Sequence, residues 1–511
     1  MNFSAKTAMA AIISAAAIIT SAAGAESRLP RSTAAEQGID PHAIELLVDS
    51  LQAIPKTEIH HLMIVRNGYV VAEAHNAPWQ ASDVHTLFSC SKTMVSLAVG
   101  IAISENRLRL TDRVASFFPD MLPDTITDAM AALTVRDLLT MDAGAYTPQD
   151  IHRHDTCWER AFLNNTKLGT DKRFRYDSFC TYMLAGIVQR VSGSHSLLAY
   201  LRPRLLDPLG IDDADWELSP TGINTGGWGM RLHVESMAKI GQMILDGGKW
   251  NGRQIVPADY VAEMQKVQIE WHPGKEPSDL NQGYGYQMWR CLEPGVARAD
   301  GAYGQYIIVD PARRLVVAMN GISLDHGPYD ELACVWRQLM PGVSDSPIKV
   351  NAKQQRSLEK KLATLTLPTL KGKAQGPTFN LTLADNQLSI SSLQLLPANG
   401  SRTMVVTMAD GTCDSIPLGH KQWARHTTLM APPYTNGAFS LPLTRISGHT
   451  LPYSTGGCYG YSANTFTARV AYTNWFSTRT FTVSGLNSQQ PTVTITDNFA
   501  PGKPVTIPCK N

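Results

Sequence analysis

Hydrophobic and polar residues follow different spacings along this chain, and these spacings predict its first elements. The run Leu62 to Val65, the turn pair Asn67-Gly68 and the run Tyr69 to Ala72 predict a β-hairpin. The segments Thr181 to Val191 and Val234 to Leu245 carry apolar residues at three- and four-residue spacing, which is typical of helices packed on a core. The chain is therefore predicted to begin with a β-hairpin and to continue into a helical region.

Strand-like runs return between Gly304 and Met319, around Asp310-Pro311. Early strands, a helical middle and late strands imply an α+β or α/β sheet with helices on both faces. We expect the late strands to pair beside the early ones.

The pattern changes near Pro341 to Lys349. One short helix, over Gln354 to Leu365, is followed by strand-like pieces separated by Gly, Asn and Pro, which predict a β-sandwich or small barrel. The predicted organisation is a signal peptide at 1–25, a first domain at 26–345, a linking helix within 346–370 and an all-β domain at 371–511.

Charge and export signals limit the partners. The 511 residues carry 45 Lys and Arg against 44 Asp and Glu, which gives no reason to expect nucleic acid or an anionic membrane. Lys6, the apolar run Ala8 to Ala23 and the small residues before Glu26 predict a cleaved signal peptide and a periplasmic or secreted protein. No later stretch has the ~18 consecutive apolar residues of a membrane span. We expect a small-molecule partner, and the sequence indicates no oligomeric state.

Eight cysteines are few for a chain of this length. Cys90 is expected to be a buried free thiol. A disulfide between Cys157 and Cys180 would brace the segment around Tyr176, and three cysteines of the tail could form one bridge among themselves, although sequence does not give connectivity.

The pattern Ser-x-x-Lys is chemically suggestive, because a serine hydroxyl needs a nearby base to become a nucleophile. It begins at four serines, Ser89, Ser236, Ser346 and Ser357. Only the first leads into a strongly apolar helical pattern able to hold a lysine rigidly, formed by Met94, Leu97, Ala98 and Ile101. The other three are interpreted as helix or surface positions, so Ser89 with Lys92 is the candidate pair.

Ordered matches along residues 41–341 carry a family resemblance. They are Val70-Val71-Ala72-Glu73, Ser89-Cys90-Ser91-Lys92, Leu138-Leu139-Thr140-Met141, Phe174-Arg175-Tyr176-Asp177-Ser178, Gly229-Met230-Arg231-Leu232, Gly247 to Gly252 and Gly304-Gln305-Tyr306. The chain resembles the serine β-lactamase and penicillin-binding-protein superfamily, in its class C β-lactamase, esterase and 6-aminohexanoate-dimer hydrolase branch. The resemblance implies an antiparallel sheet with helices on both faces, a helical subdomain and no cofactor or metal.

The same resemblance implies roles for single residues. Ser89 would be the acylated nucleophile, Lys92 its base, and Tyr176 a proton shuttle that must lie close to Lys92. Ser178 stands where asparagine is usual, and a hydroxyl offers one donor against the two of an amide. The backbone N–H groups of Ser89 and Ala302 would form the oxyanion hole.

The largest departure from the family is Ala299-Asp300-Gly301, where Lys-Thr-Gly or His-Thr-Gly is usual. Alanine and aspartate cannot bind a substrate carboxylate as lysine and threonine do, which argues against efficient β-lactam turnover. Asp300, Gly301 and Tyr303 are candidate substrate contacts with Ser178; Asp300 is either a solvated strand-end carboxylate or a site for an amine-bearing substrate.

The sequence as a whole predicts an exported serine hydrolase acting on a small amide or ester through a Ser89 acyl-enzyme. A β-lactamase or D,D-peptidase is the alternative enzyme, and a ligand-sensing module on the hydrolase scaffold is the alternative without catalysis. The run His152-Arg153-His154-Asp155 invites a zinc interpretation but lacks a recognised ligand spacing, and is interpreted as a surface loop.

Overall fold

The computed structural model describes residues 28–144, 156–272, 274, 276–324, 330–397, 401–433 and 446–510. The whole of the predicted signal peptide, residues 1–25, and the run His152 to Asp155 lie outside the described residues. Helices in the described parts are α1 (Pro41–Ala53), α2 (Ser91–Ser104), α3 (Asp128–Ala131), α4 (Val135–Leu139), α5 (Trp158–Leu163), α6 (Ser178–Ser192), α7 (Leu197–Leu201), α8 (Val234–Leu245), α9 (Ala258–Gln265), α10 (Asp330–Cys334) and α11 (Ala352–Ala363).

The strands fall into two main sheets and two small ones. Those before residue 330 are β1 (Thr57–Arg66), β2 (Tyr69–His75), β3 (His85–Thr86), β4 (Asp215–Trp216), β5 (Met230–Leu232), β6 (Lys249–Trp250), β7 (Arg253–Gln254), β8 (Trp289–Arg290), β9 (Ala297–Gly301), β10 (Gln305–Asp310) and β11 (Leu315–Ser323). Those after it are β12 (Phe379–Thr382), β13 (Ile390–Pro397), β14 (Arg402–Met408), β15 (Cys413–His420), β16 (Ala424–Thr428), β17 (Tyr453–Ser462), β18 (Thr465–Tyr472), β19 (Thr478–Ser484), β20 (Thr492–Asp497) and β21 (Val505–Pro508).

The first main sheet has the order β2-β1-β11-β10-β9-β8, and its pairings are antiparallel. The predicted hairpin is confirmed as β1 and β2, and the late strand β11 lies directly beside β1, as expected. Neighbouring residues of β11 point to opposite faces, so Val316 belongs to the core beneath α2 and α8 while Val317 belongs to the core beneath α1 and α11. Helices therefore cover both faces, and the predicted α/β fold class is confirmed.

Helix α6 packs against α2, and this brings the chain around residue 178 close to the start of α2. Asp177 caps α6, since its carboxylate accepts the N–H of Phe179 at 2.9 Å. The helix ends at Gly193, which takes the left-handed conformation. The residues just before α6 are thereby held at a defined position.

The C-terminal strands form one sheet of ten strands around a second hydrophobic core. Its first and last strands meet where Leu383 pairs with Cys509, and Lys510 N donates to Thr382 O at 2.8 Å. The sheet therefore curls until its edges join, so of the two predicted forms it is a barrel, not a sandwich. We call it the C-terminal barrel.

The C-terminal barrel contacts the rest of the chain through a buried ion pair. Arg231, on β5, pairs with Asp215 and also donates to the carbonyl oxygens of Asn474 (3.2 Å) and Thr450 (2.9 Å). Arg231 is 1% exposed, so these partners replace water around its guanidinium.

Across the described ranges, no helix combines the length and the apolar character that a membrane crossing requires.

The cysteine expectations are corrected in part. All eight thiols are free, and Cys90 is buried as predicted. The proposed Cys157–Cys180 disulfide is absent because the two side chains pack separately. Cys180 is buried within α6, whereas Cys157 Sγ lies 3.9 Å from both Met121 Sδ and Glu159 Oε2. No bridge joins the tail cysteines either.

Candidate active site

A short 3₁₀ turn, Phe88–Cys90, carries Ser89 into the first turn of α2. Lys92 Nζ lies 2.9 Å from Ser89 Oγ, so the two residues form the expected pair. Ser236 and Lys239 do not pair in this way: the serine donates to Asp213 at 2.7 Å and the lysine to Gly210 O at 2.8 Å. The structure thus separates two identical sequence patterns.

Lys92 Nζ has three close oxygen partners. Besides Ser89 it lies 2.9 Å from Ser178 Oγ and 2.7 Å from the carbonyl oxygen of Gly227. An ammonium group has three N–H donors, and these three acceptors satisfy all of them. On losing a proton, the amine keeps two donors for Ser178 and Gly227 and can turn its lone pair towards the Ser89 hydroxyl.

Burial sets the proton affinity of Lys92. The side chain is 1% exposed, and desolvation lowers its pKa from the usual 10.5 to about 7. Asp177 opposes this change, since its negative charge raises the pKa of Lys92. A lysine with a pKa near neutrality is suited to accept a proton from a hydroxyl.

Tyr176 meets the requirement that it lie near Lys92. The Lys92 ammonium sits over the tyrosine ring, 4.8 Å from its centroid. Other aromatic rings surround Tyr176: Trp289 at 5.4 Å and Tyr284 at 6.1 Å between centroids. Phe174 extends this wall towards Trp271. Tyr176 is therefore held beside the candidate base by a cluster of largely buried aromatic rings.

Residues 299–301, which replace the usual Lys-Thr-Gly, lie at the end of β9 beside the turn that carries Ser89. Gly301 lies so close to the nucleophile turn that an added Cβ would stand 2.2 Å from Leu87 O, so only glycine fits. The end of β9 therefore lies against Leu87, two residues before Ser89. Asp300 is not a solvated carboxylate, because Arg298 Nε lies 2.8 Å from its Oδ2 and the Asp300 side chain is only 15% exposed. Burial raises the pKa of Asp300, and Arg298 opposes that effect.

Two functional groups escaped the sequence analysis. Gly227 acts through its carbonyl oxygen, and an added Cβ there would lie 2.7 Å from both Cβ and O of Ser178. The motif Phe174 to Ser178 contains Asp177 without assigning it a role, although an aspartate just before a predicted helix is a recognised signal of a helix cap. No sequence signal marks Gly227, because a backbone acceptor needs no particular side chain.

Cys90, next to Ser89, is poorly suited to act as a nucleophile. Burial raises its pKa well above the ordinary value, and its Sγ donates to Gln305 O at 3.2 Å. The reactive form of cysteine is the thiolate, which this environment disfavours. The Cys90 thiol serves packing between the nucleophile turn and β10.

Comparison with known proteins agrees with this geometry. The family model described as Beta-lactamase matches residues 59–323, more than half of the chain. The 6-aminohexanoate-dimer hydrolase of Paenarthrobacter ureafaciens is 27% identical over 344 residues, covering 62% of this chain and 86% of that protein.

Solved structures with a similar fold include EstCE1, a hydrolase with promiscuous acyltransferase activity (18% identity, TM-score 0.48, 58% of this chain and 99% of that one). Another is the octameric penicillin-binding protein homologue from Pyrococcus abyssi (17% identity, TM-score 0.47, 84% and 97%).

The chain belongs to the beta-lactamase family, and it is a hydrolase related to 6-aminohexanoate-dimer hydrolase. Within the described part of the chain, no group of three or more His, Cys, Asp or Glu residues is arranged to hold a metal ion.

Proposed function

We propose that the protein cleaves a small linear amide or ester through an acyl-enzyme on Ser89. The observation that carries this proposal is the 2.9 Å contact between Ser89 Oγ and a buried Lys92 whose pKa is lowered to about 7. In the proposal neutral Lys92 takes the hydroxyl proton while Ser89 Oγ attacks the substrate carbonyl. Tyr176 then gives its hydroxyl proton to the leaving group and is reprotonated by the Lys92 ammonium, so the proton taken from Ser89 ends on the leaving group.

The negative charge that develops on the substrate carbonyl oxygen needs hydrogen-bond donors. In the proposal the N–H groups of Ser89 and Ala302 receive the carbonyl oxygen as it becomes negative. The close packing of Gly301 on Leu87 supports this role, since it draws the strand end towards the nucleophile turn. Water then attacks the acyl-enzyme, and the free acid leaves.

The surroundings favour neutral, partly apolar substrates. The rings of Tyr176 and Trp289 lie together beside Lys92, and Arg298 is already paired with Asp300, so it is not available to a substrate carboxylate. We propose Ser178, Asp300, Gly301 and Tyr303 as the residues that border the bound substrate. A β-lactam, with its carboxylate, should be turned over poorly.

Labelling with a fluorophosphonate probe tests the mechanism. Intact mass should show one adduct on the parent protein and on Ser236→Ala, the matched control with the same sequence pattern, but none on Ser89→Ala. An adduct that survives Ser89→Ala would overturn the proposal. Turnover of p-nitrophenyl acetate, an aminohexanoate dimer and nitrocefin would then rank the substrates, and fast nitrocefin hydrolysis would contradict the role given to residues 299–301.

Export is the other part of this proposal. The apolar run Ala8 to Ala23 and the small residues before Glu26 support a cleaved signal. Expression of the full chain in a bacterial host should yield a periplasmic product whose N-terminal residue, read by mass spectrometry, is near Glu26. An uncleaved cytoplasmic product would contradict export without touching the mechanism.

A further inference from the structure

Three aromatic rings connect the candidate oxyanion hole to the C-terminal barrel. Phe88 and Tyr303 lie 5.2 Å apart between centroids, and Phe476 contacts both, at 4.8 Å from Phe88 and 5.2 Å from Tyr303. Phe88 and Tyr303 are each one residue from a proposed oxyanion donor, Ser89 or Ala302. We propose that Phe476 is a positioning residue that holds the two halves of the oxyanion hole in register.

The backbone at Phe88 and Tyr303 is strained, so both residues need packing partners that hold their conformation. Phe88 has φ of 45° and Tyr303 has φ of 67°, both in the left-handed region that side chains other than glycine rarely adopt. Such conformations persist when the surroundings over-determine them, and they concentrate at functional sites. Here the strained residues flank the two donors, and Phe476, which stacks on Tyr303 and meets Phe88 edge-on, comes from the barrel.

Contacts within the C-terminal barrel fix the position of Phe476. It is fully buried, and Trp475 and Phe499 pack against it at 5.8 and 5.7 Å between centroids. The indole N–H of Trp475 donates to Pro433 O at 3.2 Å. Asn474, two residues before, accepts from the buried Arg231. The segment that carries the ring is thus fixed both to the barrel and to the first part of the chain.

This inference rests on the proposed acyl-enzyme mechanism and adds a role for the C-terminal barrel. Loss of the Phe476 ring would let Phe88 and Tyr303 relax and move the two N–H donors out of alignment. Oxyanion donors act on the charge that develops during reaction, so their loss lowers kcat and leaves KM nearly unchanged. We expect Phe476→Ala to reduce kcat about 10- to 100-fold with KM changed less than about 2-fold.

A matched control separates positioning from folding. Phe481→Ala removes a ring of the same size that is also buried in the barrel core, at 2% exposure, but does not belong to the three-ring cluster. Rates are measured with p-nitrophenyl acetate, or another turned-over ester, per mole of folded protein from thermal melts. Phe476→Leu keeps much of the volume and should recover part of the kcat, which protects the test if Phe476→Ala does not fold.

The outcomes are distinct. A kcat loss at least about five times larger in Phe476→Ala than in Phe481→Ala, with partial recovery in Phe476→Leu, supports the inference. Equal kcat losses in the two alanine variants, or a change confined to KM, overturn it. If Phe476→Ala does not fold, a kcat for Phe476→Leu equal to that of the parent protein overturns it, and a lowered kcat with KM unchanged supports it. Turnover or labelling that survives Ser89→Ala would instead overturn the proposed mechanism itself.

Discussion

Removing the charge of Asp177 should shift the pH dependence of hydrolysis to lower pH. The pKa of Lys92 is about 7, lowered by burial and raised again by the nearby Asp177 carboxylate. The base works only when neutral, so kcat/KM of the parent protein should rise with pH and level off above an apparent pKa near 7. Asp177→Asn removes the opposing charge, so the rise should occur at lower pH.

The size of this shift follows from electrostatics. At an effective dielectric constant of about 20, a carboxylate several ångströms from an ammonium interacts with it by ~2 kcal/mol, which corresponds to ~1.5 pH units as an upper value. We expect a shift of about one unit. At pH 6 the neutral fraction of Lys92 would then rise from about one-tenth to about one-half, and kcat/KM relative to its own plateau by about five-fold. The plateau should fall somewhat, because a weaker base transfers protons less readily.

The substitution suits the test because it leaves the helix cap in place. Asp177 accepts the N–H of Phe179, and asparagine caps a helix about as well as aspartate. Asp40→Asn is the matched control, since Asp40 caps α1 by accepting the N–H of His42 at 2.9 Å. Initial rates between pH 5 and 9 give the two profiles. An unchanged or raised apparent pKa in Asp177→Asn, or an equal shift in Asp40→Asn, would refute the assignment of Lys92 as the base.

Three further outcomes follow from the same contacts. Burial lowers the pKa of His85 to about 4, so this side chain is protonated at a lower pH in the folded state than in the unfolded state. The free energy of unfolding should therefore fall by about 1.4 kcal/mol for each pH unit below pH 6.5. Melting temperatures that stay unchanged between pH 7 and pH 5 would contradict this. Gly227→Ala places a methyl group 2.7 Å from Ser178 and should reduce kcat about 100-fold, whereas Gly502→Ala, in open space, should not alter the rate. Arg231→Leu leaves its buried carboxylate partner without a counter-ion and should cost about 3 to 5 kcal/mol, visible as a large drop in melting temperature.

Local patterns predicted most of the fold and the centre of the site. The hairpin, α6, α8 and the pairing of late with early strands follow from hydrophobic spacing, and Ser89 and Lys92 meet because three residues bring them onto one helical face. Phe476 was not predictable in the same way. It reaches Phe88 because the segment between β18 and β19 packs against β5, where Arg231 donates to Asn474 O, and a single aromatic residue in a strand-rich tail carries no signal of its partner.

The ion pair at the end of β9 belongs to the same electrostatic balance as Lys92. An aspartate at position 300 raises the pKa of Lys92, as Asp177 does, and two uncompensated carboxylates would keep the lysine protonated at neutral pH. Arg298 neutralises Asp300 from two residues earlier on the same face of the strand. Arg298 therefore limits how far Asp300 raises the pKa of Lys92. In the proposed mechanism, this charge balance would let Lys92 act as the base although an aspartate stands where threonine is usual.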